Sequence, residues 1–110
     1  MWVQRDFFSS LLVTAYAYQA KGRVALDVWL VNEGPQDWAV DEATLTGPRG
    51  EVLELLSVWE QESFLGRGQK GRVVVEALTD APAHGPYTLT LSGQDGVRTF
   101  ILEGVVFPPL

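Results

Sequence analysis

The sequence contains no cysteine and a single histidine, His84. Without cysteine there are no disulfides, no thiolate zinc sites and no cysteine nucleophile. The compartment stays open, because a domain of this size can fold on its core alone outside the cytoplasm. One histidine, in the Pro/Gly-rich stretch Asp80–Pro86, leaves little from which to build a catalytic triad, and an exposed loop histidine is the expectation. The serines stand in no nucleophile-elbow motif. Basic residues are also scarce, 8 against 14 acids for a formal net charge of −6. A phosphate-binding face needs the opposite balance, so nucleic acid is not an expected partner.

Long apolar runs are missing too. Phe7–Ala17 is the richest stretch, with Arg5 before it and the small-x-small triplet Ala15-Tyr16-Ala17 at its end. It resembles a leader, but Asp6 abuts it, Ser9 and Ser10 interrupt it, and it is too short to cross a bilayer as a helix. Val13, Ala15 and Ala17 alternate with Thr14, Tyr16 and Tyr18, which favours a retained strand. Residues 1–15 are therefore an appended strand or an atypical leader on one domain spanning residues 1–110. There is no internal repeat, low-complexity tract, interdomain linker or capped helical stripe.

Strand and turn chemistry is abundant. Val24, Leu26, Val28 and Leu30 fall on every second residue, the side-chain period of a half-buried strand, and Asn32-Glu33-Gly34-Pro35 closes it as a turn. Similar units predict strands near 11–19, 23–32, 42–47, 51–59, 70–78, 86–92 and 97–107. Gly47-Pro48-Arg49-Gly50 and Gly93-Gln94-Asp95-Gly96 read as tight hairpins. Seven or eight short strands at regular spacing indicate an all-β, immunoglobulin-like antiparallel sandwich.

In that sandwich the Val24/Leu26/Val28/Leu30 face packs across against Val73, Val75, Tyr87, Leu89 and Leu91. The last strand contributes either Phe100 and Leu102 or Val97 and Ile101. A bulge near Gly104 would switch its register to Val105 and Phe107. Trp38 and Trp59 are expected as core plugs that spend their N–H on a backbone carbonyl.

The search for chemistry returns weak patterns. Gly66-Arg67-Gly68-Gln69-Lys70-Gly71 fits a nucleotide-binding string, but a strand-like Val73-Val74-Val75 follows where a phosphate-binding helix would have to start. A Gly-rich hairpin loop is the reading, and Arg67, Lys70 and Arg72 are taken as solvated loop charge. Asp41/Glu42 and Glu60/Glu62 offer too few closely spaced oxygens for calcium. No catalytic residue, metal or cofactor is expected, and a small-molecule ligand is not favoured.

Trp29 is the exception. It shares the Ala25/Asp27/Val31 face, opposite the apolar set. Either the N-terminal segment covers it, or it anchors a protein partner or a sugar ring. Trp29, Asp27, Ala25 and Val31 are thus the interface candidates. Edge strands of an open sandwich offer a second route to association.

Arg23–Asn32, Trp38, Ala43-Thr44-Leu45, Gly50–Leu53, Val58-Trp59, Arg72–Glu76, Tyr87–Leu91, Arg98-Thr99 and Val106-Phe107-Pro108 together resemble a family of uncharacterised myxobacterial paralogues, a domain of unknown function. The resemblance spans about Tyr16–Pro109, and the first fifteen residues depart from it. Members are longer, with a signal peptide and a further N-terminal region, so this chain corresponds to their C-terminal part. The resemblance implies an envelope or secreted setting and transfers no catalytic residue. A cytoplasmic setting is the expectation if the N-terminus is retained.

The functional expectation is a non-enzymatic protein-interaction or assembly module, with a protein partner or as a homo-oligomer. A carbohydrate-binding module using an exposed aromatic sheet face is the alternative.

Overall fold

A computed structural model describes residues 2–6, 9–79 and 86–109. Its eight strands are β1 (Trp2–Asp6), β2 (Leu11–Ala20), β3 (Arg23–Asn32), β4 (Val40–Thr46), β5 (Leu55–Glu60), β6 (Lys70–Leu78), β7 (Tyr87–Gly93) and β8 (Thr99–Val105). No helix occurs among the described residues, and so none long and apolar enough to cross a membrane. His84, Phe7 and most of the Asp80–Pro86 crossing lie outside the described residues.

One sheet has the order β1-β2-β3-β6-β5 and the other β4-β7-β8, every neighbour antiparallel. With β1 set aside, four strands face three in the order of a constant-type immunoglobulin domain. The all-β, immunoglobulin-like sandwich read from the sequence is the fold found, with eight strands.

The two-residue period decides the layers. Val24, Leu26, Val28 and Leu30 on β3 are completely or almost completely buried, while Ala25, Asp27, Trp29 and Val31 on its other face are half-buried. Leu11, Val13 and Ala15 extend the buried layer on β2. Val73 and Val75 extend it too, but within the same sheet, paired beside Val28 and Leu26. The residues that meet β3 from across the sandwich are on the small sheet: Leu45, Tyr87, Leu89, Leu91, Phe100 and Leu102. The expectation that Val73 and Val75 lie opposite β3 is corrected by that pairing.

Of the two readings for β8, Phe100 and Leu102 point inward, and Val97 and Ile101 are exposed. Register then slips from Leu89↔Leu102 to Tyr87↔Val105, one extra residue on β8. Gly104, at φ 73°, absorbs the slip in a region that costs an L side chain strain. The shift returns Val105 and Phe107 to the interior, where the Phe107 ring meets Tyr87 edge-on at 5.1 Å between centroids.

Two local expectations fail for one reason. The Gly47–Gly50 turn does close tightly, with the Gly47 N–H donating to the Glu51 carbonyl at 2.7 Å. The returning chain bridges only at Val52 before it leaves for the other sheet, so β4 and β5 are not hairpin partners. A turn specifies a local reversal, whereas sheet assignment depends on the apolar pattern beyond it. The predicted strand 51–59 accordingly starts later, at Leu55.

One end of the sandwich is fastened by polar groups. Asn32 is completely buried, and its side-chain amide donates to the Gln36 and Leu65 carbonyls, both at 2.8 Å. The Arg98 guanidinium donates to the Ser9 carbonyl at 2.7 Å, to the Gln36 carbonyl at 2.9 Å and to the Asn32 Oδ1. This ties the β1–β2 turn, the β3–β4 connection and the β7–β8 hairpin into one junction.

Candidate interaction surface

Antiparallel pairing places four residue rows across the outer face of the large sheet. Leu12, Val31 and Lys70 align, as do Thr14, Trp29 and Arg72, then Tyr16, Asp27 and Val74, then Tyr18, Ala25 and Glu76. Nothing among the described residues forms a layer over this face. β1 lies beside β2 as the edge of the same sheet rather than over Trp29, so the covering role considered for the N-terminal segment is not what β1 does.

The centre of the face is an aromatic–cation cluster. The Arg72 guanidinium lies 5.0 Å from the Trp29 ring centroid and 5.8 Å from that of Trp59. Lys70 places its ammonium 5.4 Å from the Trp29 ring. Such contacts orient a cation over the negative face of an indole. Arg72 also grips Asp27 side-on, Nε to Oδ1 at 2.7 Å and Nη2 to Oδ2 at 2.9 Å. That hydrogen bond, reinforced by the carboxylate charge, holds the Arg72 guanidinium above its ordinary pKa. Farther along, Arg23 pairs with Glu76 at 3.1 Å.

Of the interface candidates, Trp29, Asp27, Ala25 and Val31 all lie on this face, each half-buried rather than fully exposed. Lys70 and Arg72 belong to β6 and join them, which corrects their reading as solvated loop charge; Arg67 stays exposed in the turn. Trp59 is likewise corrected. It is 49% exposed on the outer face opposite Val74, because a register shift between Leu55 and Ser57 inverts the alternation that follows. Trp38 does plug the core, 2% exposed, with its indole N–H donating to the Arg98 carbonyl at 3.0 Å.

Sequence reasoning overlooked Arg72 and Tyr16 as members of this face. The signal was present for Arg72: Gly71, Val73, Val75 and Ala77 alternate as buried positions, which puts Lys70, Arg72, Val74 and Glu76 on the other side. Beside Trp29 the face dips into a recess of about 480 Å³ lined by Leu12, Thr14, Tyr16, Trp29, Val31 and Lys70.

Titratable groups do not converge elsewhere on the described surface into a set with an obvious task. Asp41 and Glu42 are exposed, and no three potential metal ligands cluster among the described residues. Glu60 is half-buried by the edge of β5, and burial pushes its carboxyl up from the ordinary 4.5. The Gly66–Gly71 stretch is a turn followed by strand, with Gly68 N–H bonded to the Asn32 carbonyl at 2.6 Å.

The chain belongs to the DUF2381 family, proteins of unknown function, which matches residues 9–105. No curated protein matches it by sequence. Among solved structures, the archaellum periplasmic stator protein FlaG from Sulfolobus acidocaldarius aligns with a TM-score of 0.52 at 14% identity, covering 82% of this chain and 99% of that one. The archaellum periplasmic stator complex of FlaF and FlaG from the same organism gives 0.57 at 17% identity, over 80% of this chain and 83% of that one. At such identities the likeness concerns the fold alone. The DUF2381 match takes in β2 to β8 and every residue of the Trp29 cluster.

Proposed function

We propose that this DUF2381 chain is a non-enzymatic protein-interaction or assembly module that engages a protein partner, or a second copy, through the outer face of its large sheet. The supporting observation is the Trp29–Arg72–Trp59 cluster, braced by Asp27, on a sheet face over which the described residues form no second layer. Tryptophan, tyrosine and arginine are the side chains that dominate binding at protein interfaces. Here Asp27 already holds the Arg72 guanidinium against the Trp29 ring, and such preorganisation lowers the entropy lost on association. Trp29, Asp27, Ala25 and Val31 are its proposed centre, with no metal, cofactor or catalytic group involved.

The fold is shared with stator proteins, one of which is recorded in complex with another, and an assembly role fits that likeness. Their periplasmic description and the resemblance to longer myxobacterial paralogues both favour an envelope or secreted setting.

A carbohydrate-binding role draws support from the recess beside Trp29, with Thr14, Tyr16 and Lys70 as polar contacts. Arg72 and Lys70 already lie against the Trp29 ring, however, and a stacked sugar would compete with them. Affinity capture from the native organism with wild-type and Trp29→Ala baits, alongside a soluble glycan array, tests the two. A protein partner lost on Trp29→Ala supports the interaction module. Glycan binding abolished by the same substitution would replace it with the carbohydrate reading.

A further inference from the structure

A second surface, distinct from the Trp29 face, lies along the free side of β5. Among the described residues β5 is paired only with β6. The sandwich has four edges among the described residues, and each carries charge within its strand: Arg5 and Asp6 on β1, Asp41 and Glu42 on β4, Glu60 at the end of β5, and Glu103 on β8. Charged residues and bulges along an edge strand are among the ways proteins keep sheet edges from pairing with other chains. On β5 the charge stands only at the last residue, so Leu55-Leu56-Ser57-Val58-Trp59 runs uncharged before Glu60, and the bulge is confined to the Leu55/Ser57 end.

The apolar side chains of this edge are not buried by the fold. Leu56 is 42% and Val58 38% exposed, and nearby Phe64 is exposed as well. The main chain is also presented. The Gln61 N–H bonds to the Arg72 carbonyl at 2.9 Å and Trp59 pairs with Val74, so strand alternation turns the N–H and C=O of Val58 and Glu60 away from β6. Beside them a small cleft lined by Trp38, Val40, Glu60, Phe64 and Leu65 opens toward the core. Unpaired main chain next to a side-chain pocket is the arrangement that captures an added strand.

Charge selects among occupants. Glu54 stands before the strand, Glu60 and Glu62 close it, and Asp41 and Glu42 lie on β4, the nearest strand of the other sheet. Antiparallel pairing with a second copy, centred on Ser57 or Val58, sets Glu54 opposite the copy's Glu60 or Glu62. Like charges directly opposite one another destabilise a pair. We propose that β5 accepts an extended segment of a different protein, apolar at alternate positions and bearing Lys or Arg at its ends.

The probe is a synthetic peptide of alternating Val and Thr with two Lys at each end, with a Glu-ended version as control. It is titrated into isotope-labelled protein and followed by amide chemical shifts and hydrogen exchange. The expected result is shifts and slowed exchange at the Val58 and Glu60 amides with the Lys-ended peptide alone. Val58→Pro removes an N–H that β6 does not use, so it should weaken binding at least about tenfold with the remaining amide spectrum preserved. Val58→Lys, which retains the backbone donor, serves should the proline variant melt early. Equal binding of the Glu-ended peptide, absence of shifts at Val58 and Glu60, or undiminished binding by both variants would overturn the proposal. Concentration-dependent shifts at these amides without peptide would also overturn it, by giving the edge to a second copy.

Discussion

The indole N–H of Trp38 donates to the backbone carbonyl of Arg98 at 3.0 Å, while the side chain of the same arginine reaches the opposite sheet through Ser9 and Asn32. The two residues therefore clamp the β7–β8 hairpin to the end of β3 from both directions. The approach requires Gly93: a Cβ there would lie 2.6 Å from the Trp38 Nε1 and 2.8 Å from the Arg98 carbonyl oxygen. Neither atom can be yielded without breaking the hydrogen bond between them.

Arg98→Ala is expected to destabilise the fold by about 2–4 kcal/mol, because it leaves the acceptors on the buried residues Ser9 and Asn32 without their charged donor. Arg98→Lys should recover only part of this, since an ammonium cannot reach three acceptors in a planar fork. Equilibrium urea unfolding of both variants measures the difference. A loss within error of wild type for Arg98→Ala would remove this junction from the list of things that hold the sandwich together.

Arg72→Lys is expected to alter tryptophan emission while costing less stability than Arg98→Ala. The pair with Asp27 lies on a partly solvated face, where ion pairs contribute little, but an ammonium does not reproduce a guanidinium held near both the Trp29 and Trp59 rings. Emission of Trp29→Phe and Trp59→Phe backgrounds assigns the change to each indole. An unchanged spectrum in both would mean that this arrangement is not populated in solution.

Much of this architecture is legible in the sequence, and the failures have physical causes. The alternation of β3 names its buried face directly, and the Val-Val-Phe ending after Gly104 reveals the bulge that re-aims Phe107. Trp59 faces outward against the expectation because a single-residue bulge inverts every later side chain of a strand, and β5 has no downstream apolar run to betray it. The Gly47–Gly50 turn reads as a hairpin because turn chemistry reports only four residues. The interface candidates on β3 could be named from alternation, but their partners Arg72 and Trp59 come from strands distant in sequence. Only the pairing register brings them together.

Glu60 supplies a pH-dependent term. Burial raises its folded-state pKa above 4.5, so the native state holds a proton that the unfolded chain has already released. This group's contribution to stability is therefore greatest at acid pH and falls as pH rises from 4.5 through the folded value. Glu60→Gln should melt slightly higher than wild type near neutrality and coincide with it below the ordinary carboxylate range. The effect is small, because the carboxyl is only half-buried. A variant that is less stable at neutral pH would show that the carboxylate is held by a favourable contact instead.

Trp29→Ala bears on the proposed function most directly. Trp29 lies on the outer face, away from the Val24/Leu26/Val28/Leu30 core, and its ring is supported by Lys70 and Arg72 rather than by buried apolar side chains. Truncating it should leave the thermal melt close to wild type while weakening self-association or partner capture by about 2 kcal/mol or more, the usual cost of removing an aromatic anchor. Trp59→Ala, on the same cluster but at its margin, should weaken association less. Sedimentation equilibrium and melts of the three proteins separate the outcomes. Unfolding of Trp29→Ala would make the indole a structural residue of the sheet. Unchanged mass and unchanged capture in both variants would leave the face as solvent-exposed surface and return the assembly role to the sheet edges.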